Sequence, residues 1–501
     1  MQYKESEVYI FNPDYVMRND SHRIVLFSKN KPNRLSVPDW ESFLHPLHAK
    51  IFSFFTFNRS LKTTIVKLCE YFKKDEASVR KIIFPFIENP LSVYTKYKEE
   101  KVRIPKNVIV NSNHIDGKIN YLNLKPDVFD CQTIDITSQR TYTGPQLITF
   151  MLNNDCVADC IYCYADRKTL VKNLSTKRIL DLIEEANILP VHLINLMGGE
   201  IFLHPDWKII LKKLVNYNLS PEYISTKCPL TEEIIKDIKE TGFSNPVQIS
   251  LDALSSGLLM KTLSVKNDYL FKVLQGIKEL DKSGLDYRIT SVLTTYNTKN
   301  EVIKDLFDFI SELKNISDWR ITPAINSIWI EYDQFKKFKP VKKEIESLYE
   351  FIEREILPYS KIPILLNKPA IDREFRYCKT GSADFKGVKC SALNNQLFIL
   401  PDGKATICEQ LYWMPQFIIG DVSVDSISEV WNSPQAKKLL NLTREDIQEF
   451  SPCKVCKIFE PCFNARNRCM VDIVKAYGKE NSEYPDPRCS FAPPMIYDLQ
   501  F

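Results

Sequence analysis

The sequence has no apolar run approaching the length that crosses a bilayer, no internal repeat and no low-complexity tract. Those absences exclude a membrane-spanning helix and a solenoid. An apolar segment is also missing from the start, because Met1 to Glu7 is polar and charged where a signal peptide would carry its hydrophobic core. The expected location is therefore the cytoplasm, where disulfides are not expected. Net charge is nearly absent as well: 67 Lys and Arg against 63 Asp and Glu leave +4 on 501 residues. That balance makes no electrostatic case for nucleic acid as the main partner.

What the chain does have is cysteine. Of 14 cysteines, Cys69, Cys131 and Cys228 stand alone, and the others fall in two clustered regions, 156–163 and 378–489. Clustered thiols in a reducing compartment are more often metal ligands or catalytic groups than disulfides. At 44% hydrophobic and 26% charged residues the composition is globular, and a length prior of about 150 residues per domain suggests about three units.

Periodicity divides the chain. In residues 1–95, short β-rich runs (Val8 to Phe11, Arg23 to Phe27) precede two helical patterns, Leu61, Ile65, Leu68, Phe72 and Val79, Ile82, Ile83, Phe86, Ile87. Each set shares one helix face, with Asp75 as the N-cap of the second helix and Pro90 as its stop. This reads as a small winged-helix-like domain. Residues 96–145, punctuated by Pro105, Pro126 and Pro145, read as an irregular connector. From 146 to 326, six strand candidates starting at Leu147, Val191, Glu222, Val247, Tyr287 and Trp319 alternate with amphipathic helices near 176–188, 206–218, 231–241, 270–283 and 300–314. The expectation is an α/β fold: a partial (β/α)6 barrel of parallel strands with its functional loops at the C-terminal strand ends. Residues 327–377 bridge to a cysteine-rich region, 378–501, expected to be poor in regular structure and stabilised by metal.

Directly after the first barrel strand comes Asn153-Asn154-Asp155-Cys156-Val157-Ala158-Asp159-Cys160-Ile161-Tyr162-Cys163-Tyr164. Three thiolates on one short loop can hold three irons of a cubane and leave the fourth without a protein ligand. A zinc site would favour paired Cys-x-x-Cys units supplying four ligands. The pattern Cys-x-x-x-Cys-x-aromatic-Cys at this position resembles the signature of the radical S-adenosylmethionine (SAM) superfamily, in which SAM chelates the open iron. Reductive cleavage of SAM then yields a carbon radical that abstracts hydrogen.

The resemblance extends downstream. Gly198-Gly199-Glu200, at the end of the second strand, is similar to the family's Gly-Gly-Glu motif. It implies close backbone approach to a ligand and a carboxylate for the SAM amino group. Ile201 stands where the family often has proline. Ser225 in Ile224-Ser225-Thr226 and Ser250 in Ile249-Ser250-Leu251-Asp252 resemble the residues that contact the SAM ribose and carboxylate, with Tyr162 of the cysteine loop also assigned to the cofactor. Lys227 replaces the asparagine usual after the threonine. For both serines, a strand-end hydrogen bond to backbone is the alternative.

The C-terminal cysteines, with Cys390, then Gly403-x-x-x-x-Cys408, Cys453-x-x-Cys456, Cys462, Cys469 and Cys489, resemble the SPASM extension, which carries two auxiliary 4Fe-4S clusters. The gap before Cys469 is longer than the family's usual three residues. Carried over, the family's interleaved arrangement assigns Cys378, Cys390, Cys408 and Cys469 to the first cluster, and Cys453, Cys456, Cys462 and Cys489 to the second. If Cys378 points away, the first cluster keeps an open iron. A zinc-ribbon-like array is the rival. Glu409 follows Cys408 where sulfatase-maturing relatives carry a catalytic aspartate, so it is the candidate catalytic residue, with a surface carboxylate as the alternative.

Residues 8–87 resemble the leader-peptide recognition elements fused to radical SAM peptide maturases, which bind a disordered leader by strand addition. The resemblance as a whole implies an oxidoreductase with three 4Fe-4S clusters and SAM, served by an electron donor such as flavodoxin or ferredoxin. It would install a thioether or carbon-carbon cross-link in a ribosomal precursor peptide. Alternatives are a peptide epimerase, with Cys228 as hydrogen donor, a sulfatase-type protein maturase and, from another class, a DNA-binding iron-sulfur redox sensor.

Overall fold

The computed structural model describes residues 3–29, 41–367, 390–465, 468–489, 491–497 and 499. Two compact units emerge, Met1–Gln146 with Glu185–His192, and Leu147–Glu184 with Leu193–Phe501.

In the first unit, β1 (Tyr9–Phe11) precedes an antiparallel meander of β2 (Tyr15–Asn19), β3 (Ile24–Ser28) and β4 (Glu41–Leu44). The β2–β3 turn is held from inside: Arg23 Nε donates to Asp20 Oδ2 at 3.1 Å, and Asp20 Oδ1 accepts the amides of Tyr142 and Thr143, each at 2.8 Å. Three helices follow, α1 (Pro46–Ser53), α2 (Leu61–Phe72) and α3 (Glu76–Ile83). Asp75 caps α3 as its spacing predicts, accepting the Ser78 amide at 2.9 Å, and Val79 and Ile83 are the buried face. The stretch read as an irregular connector carries more structure than its prolines suggest. A hairpin of β5 (Val93–Tyr97) and β6 (Glu100–Ile104) is followed by β7 (Ile109–Asn111), which pairs antiparallel with β1. Pro105 falls between strands, and the β-branched run Val108-Ile109-Val110 is buried with the core of this unit.

In the second unit all six expected strands are present: β8 (Leu147–Met151), β9 (Leu193–Met197), β10 (Ile224–Thr226), β11 (Val247–Ser250), β12 (Tyr287–Leu293) and β13 (Ile316–Pro323). They alternate with α4 (Thr176–Ile188), α5 (Trp207–Asn216), α6 (Glu232–Glu240), α7 (Ser256–Leu263), α8 (Tyr269–Ser283) and α9 (Asn300–Ser311). The strands form two ladders rather than one continuous sheet. β10 to β13 are parallel neighbours extended by β14 (Ile364–Leu366), whereas β8 and β9 join β15 (Gln396–Ile399), β16 (Lys404–Thr406) and β17 (Ile418–Asp421). The break falls between β9 and β10, where the Asn195 side chain takes the Glu222 amide at 3.1 Å in place of a strand carbonyl. Pro221, just before, has no amide to offer.

The sheet of β10 to β13 has two chemical faces. In β12, Tyr287, Ile289, Ser291 and Leu293 are buried and the intervening side chains are more open. Strand register aligns polar residues across that second face, Ser225 with Gln248 and Arg288, then Ser250 with Thr290 and Arg320. β15 pairs parallel with β8, so the cysteine-rich region is built onto the first barrel strand. Among the described residues, no helix is long and apolar enough to cross a membrane.

Candidate functional site

Beyond Met151 the chain turns through Asn153 into the cysteine loop, which is fastened on three sides. On the β9 side, Asn153 Nδ2 donates to Glu200 O at 3.0 Å, and the Gly199 amide donates to Asn153 O at 2.9 Å. A Cβ on Gly199 would lie 2.0 Å from Asp155 O, and one on Gly198 would lie 2.9 Å from Asn153 O. The glycine pair thus admits the loop's own backbone. On the second side, the last turn of α7 offers its carbonyls: the Asp159 amide donates to Leu263 O at 2.7 Å and the Ile161 amide to Thr262 O at 2.9 Å. Arg167 closes the third side, donating to Ala158 O and, at 3.0 Å, to Asp159 Oδ1.

Held this way, Cys156, Cys160 and Cys163 come within electrostatic reach of one another. Burial pushes the Cys160 thiol up to about 12, against the pull of the Lys227 ammonium, and burial raises Cys163 as well. Lys227 acts on Cys160 and Cys163, and Arg167 acts on Cys163 as well. The Lys227 Nζ lies 3.1 Å from the Tyr162 hydroxyl and 3.9 Å from Asp252 Oδ2. Tyr162 in turn donates to Asp252, whose other oxygen accepts the Val292 amide at 2.8 Å. Burial works against the Lys227 charge, but Asp252, joined by the cysteines of the loop when they are thiolates, outweighs it and raises the ammonium's pKa.

Glu200 is buried, and burial raises its carboxyl. Its oxygens accept from Thr226 Oγ1 at 2.9 Å and from the amides of Lys227 at 3.0 Å, Cys228 at 3.1 Å and Phe202 at 3.4 Å. Four donors fill the acceptor positions of one carboxylate, so a ligand ammonium reaches it only by displacing one of them. Ser225 is exposed and its Oγ accepts from Gln248 at 3.1 Å; Ser250 lies on the same face, two residues further along its neighbour strand and two residues before Asp252 in sequence. Cys228 is half-buried within reach of Cys156, and burial with the neighbouring Glu200 pushes its thiol up to about 12.

Two further sets of thiols gather in the C-terminal region. Cys390 precedes β15, Cys408 follows β16 and Cys469 caps the helix Met470–Tyr477; all three lie within electrostatic reach of one another. The β15–β16 turn has Gly403 at φ +92°, where a Cβ would meet the Ser423 amide nitrogen at 3.0 Å. The second set, Cys453, Cys456, Cys462 and Cys489, lines one cavity together with Phe459 and Arg468. Cys378 lies outside the described residues. Among the described residues, no three His, Cys, Asp or Glu side chains converge as a single-ion site.

Glu409 is half-buried beside Cys408 and within reach of the phenols of Tyr164, Tyr223 and Tyr412. Its segment packs at the C-terminal ends of the first strands, where Tyr412 joins Met151, Met197 and Trp329 in one apolar cluster. Lys227 stands out in the sequence only as a departure from the family pattern, and neither Asp252 by itself nor α7 is marked there as a support of the cysteine loop. The available signal was a lysine one residue beyond β10 and a carboxylate two residues beyond Ser250, both at strand ends facing the cysteine loop.

Residues 151–313 match the radical SAM superfamily, and residues 390–457 match the iron-sulfur cluster-binding domain SPASM. GTP 3′,8-cyclase of Aliarcobacter butzleri is 24% identical over 213 residues, which are 40% of this chain and 64% of that protein's length. Mycofactocin maturase MftC of Mycobacterium ulcerans is 22% identical over 353 residues, 69% of this chain and 88% of its own. Among solved structures, Streptococcus suis SuiB bound to precursor peptide SuiA matches 97% of this chain and 99% of that one, with a TM-score of 0.60 and 15% identity.

Proposed function

From a chain that carries a radical SAM domain and a SPASM domain, we propose an enzyme that matures a ribosomally made precursor peptide by installing a thioether or carbon-carbon cross-link. The observation that carries this reading is the gathering of Cys156, Cys160 and Cys163 beside a half-buried lysine at the C-terminal ends of parallel strands. In this reading the three thiols hold a 4Fe-4S cluster whose remaining iron is left for SAM. The donors fit, because burial disfavours the bare thiolates of Cys160 and Cys163, and metal binding supplies the charge that displaces their protons. When bound, the clusters and SAM supply one-electron transfer and a carbon-centred radical that removes hydrogen from an unactivated C-H bond.

The chain's own residues do the positioning. Lys227 keeps a fixed positive charge beside the thiols, and Tyr162 and Asp252 hold that ammonium in place. Ser225 and Ser250 line the polar face on which the SAM ribose and carboxylate would rest, and Glu200 fixes the turn after β10 from which Lys227 projects. Glu409, within electrostatic reach of three phenols, would accept a proton from the substrate as the new bond forms. Cys390, Cys408 and Cys469, with Cys378, hold the first auxiliary cluster; Cys453, Cys456, Cys462 and Cys489 hold the second. A carrier such as flavodoxin or ferredoxin delivers the reducing electron.

Support for a peptide substrate comes from the first unit, a three-stranded sheet followed by three helices, which suits strand addition by an extended leader. Likeness in fold over 97% of the chain to SuiB, solved with its precursor peptide, agrees with it. A second reading, epimerisation, rests on Cys228: burial keeps its thiol protonated within reach of Cys156, as a hydrogen donor must be. The deciding experiment is anaerobic co-expression with a short peptide encoded beside this chain, followed by mass analysis. Loss of two hydrogens supports a cross-link and unchanged mass with altered stereochemistry supports epimerisation, whereas a peptide left unmodified in mass and stereochemistry contradicts both.

A further inference from the structure

On the open face of the sheet, β10 and β11 carry Ser225 and Ser250, whereas β12 and β13 carry two arginines, Arg288 and Arg320. An irregularity in β13 places a carboxylate between them. Tyr287 faces Ile316 and Ile289 faces Trp319, so β13 holds one residue more than β12 over this stretch. A bulge of this kind re-aims the side chains beside it. Asp318 and Trp319 are consecutive and both buried, and Asp318 reaches both arginines. Arg320 Nε donates to its Oδ1 at 2.8 Å, while Arg288 Nε lies 3.5 Å from Oδ2 and makes no hydrogen bond.

The outer nitrogens of both guanidiniums remain unengaged. Among the described residues Arg288 makes no hydrogen bond at all, and Arg320 makes only the one from Nε. The Arg288 side chain is 12% exposed and that of Arg320 37%, so both forks are reachable from the open face. Thr290, level with Arg320, adds a buried hydroxyl without a partner. Burial lowers the Arg288 pKa and the like charge of Arg320 adds to this, with Asp318 and Glu222 opposing. Counter-charge is thus present already; what this half of the face lacks is acceptors for planar N–H forks. A carboxylate supplies two oxygens in the spacing such forks fit.

Register also fixes where the pair lies. Arg288 is level with Ser225 and Arg320 with Ser250, each two strands away, which is about 10 Å at the usual strand spacing. That span leaves room for a second group beside SAM. Tyr223, whose ring centre is 5.7 Å from the Arg288 guanidinium carbon, feels both arginines and Glu409. The forks therefore share their surroundings with the proposed base.

We propose that Arg288 and Arg320 bind a carboxylate of the precursor peptide, from an Asp or Glu side chain or from its C-terminus, and so select an acidic group near the residue that is modified. The inference rests on the peptide-maturase reading and names a feature of its substrate. Binding alone is claimed for the two arginines, with no bond made or broken by them.

The test is steady-state kinetics of the full-length, reconstituted chain with the precursor peptide encoded beside it. That peptide is made with each core Asp or Glu changed in turn to its amide, and once with an amidated C-terminus. One of these neutralised peptides should show a KM raised by about tenfold or more, and which one does so identifies the source of the carboxylate. Arg288→Gln and Arg320→Gln should each raise the KM of the native peptide similarly and add nothing further with the responsive peptide, while Arg320→Lys keeps part of the affinity. Iron content and peptide-independent release of 5′-deoxyadenosine report whether each variant is folded and loaded. If every neutralised peptide is modified with the native KM, the inference fails and the parent reading stands, and this arm needs no substitution in the chain. A raised KM for SAM with that of the peptide unmoved assigns the arginines to the SAM carboxylate and overturns the inference as well. A native peptide left unmodified overturns both.

Discussion

Gly199 carries the tightest steric demand in the candidate site, since any side chain there would meet the Asp155 carbonyl at 2.0 Å. Backbone cannot yield as a flexible side chain does, so Gly199→Ala should displace the cysteine loop. The expected result is a loss of about four irons per chain, one cubane's worth, with auxiliary iron retained, read by iron analysis and absorption of reconstituted protein. Lys227 is constrained by charge rather than by space. Replacing it with Met removes a cation that acts on Cys160 and should make a cluster held by the three thiols harder to reduce, seen as a weaker reduced-cluster resonance that Lys227→Arg restores. In the first unit, burial pushes the Glu41 carboxyl from 4.5 up to about 7, against the pull of Arg23. The folded chain therefore keeps a proton that the unfolded chain loses. This contribution is full below pH 4.5 and is lost as pH rises through about 7. Glu41→Gln should accordingly raise the melting temperature at about pH 8 and leave it nearly unchanged at about pH 4.

At the scale of elements, the junction of β9 and β10 depends on the Asn195 side chain standing in for a strand carbonyl. Asn195→Ala should leave the Glu222 amide unsatisfied at a cost of about 1–2 kcal/mol, measurable as a lower melting temperature of the loaded protein. The strands and most helices of the second unit are legible in the sequence because each alternation between apolar and polar residues lasts long enough to define one face. α7 is not: Ser256-Gly257-Leu258-Leu259-Met260 crowds apolar residues together and places glycine inside a helix. Pairing of β15 with β8 is not legible either, because local periodicity marks a strand without naming its distant partner. The cysteine sets are legible for the opposite reason, since thiols are scarce and their spacing is itself the signal. Lys227 and Asp252 carry no such spacing, and their partnership exists only once β10, β11 and the cysteine loop have been folded together.

Over the whole molecule, the two units divide recognition from chemistry in the proposed account: the first holds an extended leader and the second holds the reacting groups. A precursor peptide stripped of its leader should thus be modified far more slowly than the full peptide by the full-length chain, with comparable SAM cleavage in both reactions. The account as a whole depends on an iron that Cys156, Cys160 and Cys163 leave open. Its most direct test is chromatography of anaerobically reconstituted protein incubated with SAM and a strong reductant. Release of 5′-deoxyadenosine by the native chain, abolished by Cys160→Ala, is the predicted result. Intact SAM in the presence of a fully loaded, reduced cluster would contradict it.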